Sequence, residues 1–264
     1  MSAETSVRPF AVVTGASRGI GAEYCRALAA RGHDVLLVSR DRPRMEHLAS
    51  ELIQRYAVEA PWEILDLSEE GAAHRLYAAV RQRRPVVDVL VNNAGFGLYG
   101  PFLDMPIGRL QEMVRLHINA VVESVRLFLP GMVERGAGTI INVASLAGMF
   151  SLPYFAQYAA TKAFLISFSE AVALEVERAG VHIQVCCPGS TETDFHATAG
   201  SVPKDPVRSD SPAQVVAASL AGLQRGRRLV TVGWKGGLYA VLSRLVPRQI
   251  LLRATAAFMK LRPG

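Results

Sequence analysis

The chain has 264 residues, half of them hydrophobic, enough to bury a large core in a single α/β domain. Its formal net charge of +6, carried mainly by arginine, suits an anionic ligand, nucleic acid or an acidic membrane surface and does not choose among them. The cysteines, Cys25, Cys186 and Cys187, show neither metal-ligand spacing nor a disulfide framework, which points to a reducing compartment, hence the cytoplasm.

From the start of the chain, Met1 to Arg8 is polar and carries no visible signal peptide. Phe10 to Thr14 is a short apolar, β-branched run, expected as a strand buried on both faces. Gly15-Ala-Ser-Arg-Gly19-Ile-Gly21 follows, then a helix from Ala22 to Arg31 ended by Gly32. Glycines there let the backbone turn sharply and approach a pyrophosphate, while the helix N-terminus offers free N–H groups. The spacing is G-x-x-x-G-x-G rather than the commoner G-x-G-x-x-G.

Strands and helices then alternate. Strands are predicted over residues 34–39, 62–65, 86–91, 139–143, 181–185 and 228–232. Helices are predicted over 42–56, 69–81, 106–135 and 155–178, and from a capping box at Ser211 to about Arg225. No run reaches the roughly 18 uninterrupted apolar residues of a membrane span. The expected fold is a Rossmann-like, doubly wound parallel sheet of about seven strands flanked by helices. It forms one domain, with a core over 8–233 and a C-terminal helical extension over 234–264.

Two details bear on chemistry. The second strand ends in Ser39-Arg40, where an NAD-binding fold usually places an acidic residue. Arg40, with Arg18 from the glycine turn, suits a 2′-phosphate and favours NADP over NAD, although Asp41 follows directly. Tyr158 and Lys162 lie four apart on one helix face, and an ammonium beside a phenol lowers its pKa toward a range useful for proton transfer.

With these residues, the chain resembles the short-chain dehydrogenase/reductase family. The resemblance rests on Thr14-Gly-Ala-Ser-Arg-Gly-Ile-Gly21, Asp66-Leu67, Asn92-Asn-Ala-Gly95, Asn119, Ser145, Tyr158-x-x-x-Lys162 and Pro188-Gly189, in family order over roughly residues 8–233. It implies Tyr158 as general acid or base, and Lys162 lowering the tyrosine pKa and holding the nicotinamide ribose. Ser145 would hydrogen-bond the substrate oxygen, and Asn119 would place a water in a relay through Lys162. For the cofactor it implies Gly15, Ser17, Arg18, Gly19, Ile20 and Gly21 in the turn, then Arg40 and Asp66 with Leu67. Asn93, Ala94 and Gly95 would follow on the ribose side, then Tyr158 and Lys162, and Thr193 near the carboxamide or pyrophosphate. Thr191 stands where many family members carry an aliphatic residue. The implied activity is NADP(H)-dependent interconversion of a carbonyl and an alcohol, by a homo-oligomer (dimer or tetramer). An epimerase or dehydratase with retained cofactor and a non-catalytic NADP-binding regulator are the rivals.

The candidate substrate wall, Phe96, Leu98, Tyr99, Met149, Leu152, Phe155 and Phe195, suits a hydrophobic carbonyl or alcohol. The stretch from His196 to Asp210 has the composition of a mobile lid. Neither the six histidines, His117 among them, nor Glu192 with Asp194 offer a rival chemistry, and no metal site is expected. Nucleic-acid binding has only the net charge behind it. Beyond Pro247, Ile250, Leu251, Ala254, Phe258 and Leu261 repeat at helical period with arginines nearby. That basic amphipathic helix, about 248–262, is suited to peripheral contact with an anionic membrane, to covering a hydrophobic substrate entrance, or to an oligomer interface.

Overall fold

Alternating apolar strands and amphipathic helices assemble in the computed structural model, which describes residues 8–193, 195, 199–200 and 209–260. Asp194, His196, most of the stretch up to Asp210, and Leu261 and Arg262 lie outside the described residues.

Seven parallel strands form one sheet: β1 (Phe10–Thr14), β2 (Asp34–Ser39), β3 (Trp62–Ile64), β4 (Val89–Asn92), β5 (Gly138–Val143), β6 (Val181–Cys187) and β7 (Leu229–Thr231). Their spatial order is β3-β2-β1-β4-β5-β6-β7, so the order reverses between β1 and β4. A crevice opens there at the carboxyl ends of the strands. The two sheet faces build two apolar clusters, one around Val13, Leu37 and Ile141, the other around Val12, Leu90 and Ile140. Burial on both faces explains why these strands are continuous apolar runs rather than alternating ones.

On the first face pack α1 (Gly19–Ala29), α2 (Arg42–Tyr56) and α7 (Pro212–Gln224). The Ser211 hydroxyl accepts from the Gln214 N–H and the Gln214 side-chain oxygen accepts from the Ser211 N–H, as the capping box predicted. On the second face pack α3 (Ala72–Arg83), α5 (Ala120–Arg135) and α6 (Ala156–Glu175), while α4 (Ile107–Val114) leads into α5. Helix α3 starts three residues later than predicted, after Gly71 at φ +69°. The segment predicted as one helix over 106–135 contains a π-helical turn, Arg115–Asn119, between α4 and α5. By length and hydropathy Ile107–Arg135 would reach across a membrane, but Val121, Val125, Phe128 and Met132 bury its face against the sheet.

The tail is helical, as expected over 234–264, but divided. It forms two helices, α8 (Gly233–Leu245) and α9 (Arg248–Lys260), separated by Val246 and Pro247. Residues 236 and 237 are both glycine, a poor helix signal, so only the second of the two helices was singled out in sequence as an amphipathic helix.

Candidate active site

The site begins where β1 and β4 end. Thr14 donates its hydroxyl to the Val91 carbonyl (3.2 Å) and accepts from the N–H groups of Asn93 (2.9 Å) and Ala94 (3.1 Å). The Asn93 amide donates to the carbonyls of Thr14 (3.0 Å) and Gly15 (3.2 Å). Asn93 therefore braces the glycine turn, a duty beyond the ribose contact expected of it. Gly15 and Gly19 hold φ of +65° and +56°, which favours glycine. A Cβ on Gly21 would stand 2.2 Å from the Gly15 carbonyl oxygen, and one on Gly19 would stand 2.9 Å from Thr193 Cγ2.

This bare turn opens α1, whose first turn holds no acidic residue and whose N-cap, Arg18, makes no side-chain capping bond. Backbone N–H groups and the positive helix end thus face the crevice, a fit for the phosphates of a dinucleotide. The crevice is a cavity of ≈ 1450 Å³ reaching from Gly15 past Tyr158 to α9. Of the expected cofactor residues, Gly15, Ser17, Arg18, Gly19, Ile20, Arg40, Asp66, Leu67, Asn93, Ala94, Gly95 and Thr193 line it. Gly21 stands behind the turn, where its missing side chain lets the Gly15 carbonyl close in.

Asp66 stands at the end of the cavity that also holds Arg40. It accepts from the Ser68 N–H (2.9 Å) and hydroxyl (2.6 Å) and from Arg40 (2.9 Å). Burial pushes this carboxyl up, yet the bonds from Ser68 and Arg40 outweigh it and hold the group below its ordinary value. Arg40 also lies 3.7 Å from Glu112. Asp41, the residue that argued for caution over NADP, caps α2 by accepting from the Arg44 N–H (3.2 Å), and it also lines the cavity. The Thr191 hydroxyl donates to the Gly189 carbonyl (3.2 Å), and its backbone bridges to Asp210, so the loop after β6 is tied back beside the cavity.

Ser145, Tyr158 and Lys162 converge at the cavity centre. Ser145 ends the segment after β5, its hydroxyl accepting from the Ala147 N–H (3.1 Å) and reaching the Pro188 carbonyl (3.4 Å). Tyr158 stacks on Phe155 with ring centroids 4.4 Å apart, and Phe195 stands 5.3 Å away. Burial pushes its phenol up to about 12, against the hydrogen bond with Ser145 that lowers it. Lys162 donates to the Val143 carbonyl (2.8 Å), 5.7 Å from the Tyr158 ring centroid. Burial pulls its ammonium down to about 8. The lysine thus faces a backbone carbonyl, and the expected lowering of the tyrosine by lysine is not the dominant effect in this cleft.

One expected residue is elsewhere. Asn119 closes the π-turn on the exposed side of the helix and does not line the cavity. The inward position belongs to His117, fully buried, with its ring centroid 5.8 Å from that of Tyr158. A π-turn adds a residue to the helical repeat, so facing positions read at 3.6 residues per turn are displaced.

The apolar wall also sorts itself. Phe96, Tyr99, Leu152, Phe155 and Phe195 line the cavity, whereas Met149 packs with the core and Leu98 stands outside the lining. Sequence reading missed Phe150 and Gly236, Leu238 and Leu242 of α8, whereas Leu251, Ala254, Thr255 and Met259 of α9 line the cavity in keeping with one of the three expectations for that helix, a cover over the substrate entrance. Helix α9 is fastened by the Tyr99 hydroxyl donating to the Met259 carbonyl (2.9 Å) and Thr255 donating to the Ser151 carbonyl (2.9 Å). Ile250, expected on its apolar face, is exposed. Among the described residues no cluster of His, Cys, Asp and Glu is arranged to hold a metal ion.

Comparison with known proteins agrees with this geometry. A very-long-chain 3-oxoacyl-CoA reductase from Anas platyrhynchos is 37% identical over 184 residues, 68% of this chain. The match spans only 58% of that relative's length. A short-chain dehydrogenase from Sphingobium yanoikuyae in complex with NADPH superposes with a TM-score of 0.80 at 29% identity, covering 84% of this chain and 87% of the other. A bulky-bulky ketone specific alcohol dehydrogenase from Comamonas testosteroni superposes with a TM-score of 0.76 at 29% identity, covering 84% and 85%. Residues 9–203 match the sequence profile of the short chain dehydrogenases. The chain belongs to the short-chain dehydrogenase/reductase family.

Proposed function

We propose that this chain is an NADP(H)-dependent reductase of a hydrophobic ketone or aldehyde, with an elongated acyl or polycyclic body. The observation that carries this reading is the single cavity that joins Tyr158, Ser145 and Lys162 to an apolar wall of Phe155, Phe195, Leu251 and Met259. A phenol pushed up to about 12 is fully protonated at neutral pH, the form required to give a proton to a carbonyl oxygen. Ser145 donates a hydrogen bond to the same oxygen as charge gathers on it. Lys162, whose ammonium is pulled down to about 8 by burial, stands one helical turn from Tyr158 as the group from which a proton would be resupplied. A bound nicotinamide cofactor would supply the hydride. Its phosphates would rest on the Gly15–Gly21 turn, with Arg18 and Arg40 at the 2′-phosphate.

The relatives support the substrate class. One is named for long-chain 3-oxoacyl thioesters and another for bulky ketones, and the apolar wall here suits both kinds of body. The test is NADPH consumption against a carbonyl panel graded by apolar length. Rates that rise with chain length or ring number are expected; turnover confined to small polar carbonyls would refute the reading. On the outer side of α9, exposed Ile250 and Leu252 stand beside exposed Arg253, a pattern suited to an anionic bilayer surface. Cosedimentation with anionic vesicles at low salt tests this second role, and failure to bind ends it.

A further inference from the structure

His117 is buried completely, yet both ring nitrogens are satisfied. The Phe96 N–H donates to Nε2 (3.1 Å), so Nε2 carries a lone pair. The Thr161 hydroxyl donates to the Tyr158 carbonyl (2.8 Å), so toward His117 it accepts, and Nδ1, 2.9 Å away, carries the hydrogen. These two bonds fix a neutral imidazole with its proton on Nδ1. The ring presses on Gly95, where a Cβ would stand 2.8 Å from Nε2. Gly95 and Phe96 line the cavity just after β4, and Thr161 belongs to the same helical turn as Tyr158 and Lys162.

We propose that His117 is a positioning residue: in its neutral form it clamps the Gly95-Phe96 backbone to the Tyr158–Thr161 turn. It thereby sets the separation between the cofactor-facing loop and the general acid. The inference rests on the reductase reading for its rate effects and on geometry alone for the clamp. The π-turn places residue 117, rather than residue 119, in the buried layer behind the cavity wall, against Gly95 and Tyr158.

The clamp has a protonation limit. A proton on Nε2 removes the acceptor for the Phe96 N–H and sets two N–H groups against each other. The Lys162 ammonium on α6 opposes that proton; the Tyr158 phenol, neutral, faces the ring from the same helix, and Arg109 stands on the far side, its guanidinium 4.4 Å from the Phe96 ring centroid. Burial first, and the Lys162 charge second, hold the imidazole well below its ordinary value. The unfolded chain takes up this proton below about pH 6.5 and the native chain does not, so stability falls as pH falls through that value.

Glutamine can accept through its oxygen and donate through its nitrogen, whereas phenylalanine fills the space with neither. The experiment compares wild type, His117→Gln and His117→Phe. Thermal midpoints are followed from pH 7.5 to 5 by circular dichroism, and rates are measured with whichever carbonyl the wild type reduces. The wild-type midpoint is expected to fall more steeply on acidification than that of His117→Gln. At pH 7.5, His117→Phe loses tenfold or more in kcat while the KM for NADPH changes less than threefold, and His117→Gln restores most of that loss. A role confined to packing would move the midpoint and leave kcat per folded molecule alone. The proposal is overturned by His117→Phe within twofold of wild-type kcat, or by matching pH slopes in wild type and His117→Gln. A wild type inert on every carbonyl would refute the reductase reading, while the pH slopes would still judge the clamp.

Discussion

Gly15, Gly19 and Gly21 shape one end of the cleft by having no side chains, whereas Phe155, Phe195, Leu251 and Met259 shape the other end with side chains alone. At the glycine end, the ligand-facing groups are backbone N–H groups and a helix terminus, positioned by Thr14 and Asn93. Their geometry leaves little room for variation, because one added methyl collides with a carbonyl. At the apolar end, the wall is assembled from loops after β4, β5 and β6 and from two tail helices, and any set of apolar groups filling that volume would serve. The first end suits a ligand that is always the same, and the second a substrate that differs among relatives.

Tyr158 is where the two ends meet, and its loss separates them most sharply. Tyr158→Phe keeps the ring that stacks on Phe155 and removes only the hydroxyl. Turnover is expected to fall roughly 10²–10⁴-fold, the usual share of a general acid, with the dissociation constant for NADPH nearly unchanged. Substantial residual turnover would refute Tyr158 as the acid. Fluorescence titration of the nucleotide beside steady-state rates makes the comparison.

Gly21→Ala probes the backbone-built end. The new Cβ would need the Gly15 carbonyl, 2.2 Å away, to retreat, and overpacking of this kind costs about 1–3 kcal/mol. A loss of about tenfold or more in NADPH affinity is expected, together with a lower thermal midpoint. Unchanged affinity would show that the turn is more compliant than its contacts imply.

The glycine end was the more legible in sequence for a physical reason. Turn glycines, a short buried strand and a helix start are local features that a linear reading preserves. The pair Tyr158 and Lys162 was legible because α6 is regular across them. Asn119 was misplaced because a π-turn changes which residues face inward, and nothing in the local composition marks one. His117 could have been found only by noting an inward-phased polar residue in an otherwise apolar helical stripe. At the apolar end, Leu251, Thr255 and Met259 reach the cavity through contacts with Tyr99 and Ser151, more than 100 positions earlier in the chain. Such pairings leave no trace in spacing. Asp41 shows the converse: as sequence it argued for caution over NADP, and as structure it is a helix cap that also lines the cavity.

Arg40 belongs to the constant end, and the proposed function gives it a variable feature to read, the 2′-phosphate. Its guanidinium already faces Asp66 at 2.9 Å, so a phosphate would join an existing polar arrangement. A charge-assisted hydrogen bond of about 1.5–3 kcal/mol corresponds to a loss on the order of tenfold to a hundredfold. Arg40→Ala is expected to raise the KM for NADPH by that factor and the KM for NADH far less. Equal changes for both nucleotides would remove Arg40 from the phosphate site and leave it as a support for Asp66.

Tyr99→Phe gives the smallest effect and bears most directly on the apolar end. The Tyr99 hydroxyl donates to the Met259 carbonyl near the end of α9, while its ring lies among Tyr154 and Phe155, with centroid distances of 6.4 and 6.1 Å. The substitution keeps the ring and removes one hydrogen bond, worth about 1 kcal/mol, or roughly fivefold. Thr255 still ties α9 to Ser151, so the helix stays in place and only its last turn loosens. Substrates long enough to reach Met259 should therefore show KM raised up to about fivefold, with kcat unchanged. Short carbonyls that stop at Phe155 should show no change. A uniform loss across chain lengths would mean that α9 serves overall stability rather than the far wall of the cavity. A length-dependent loss would show that the variable end of the cleft is set by where this helix rests.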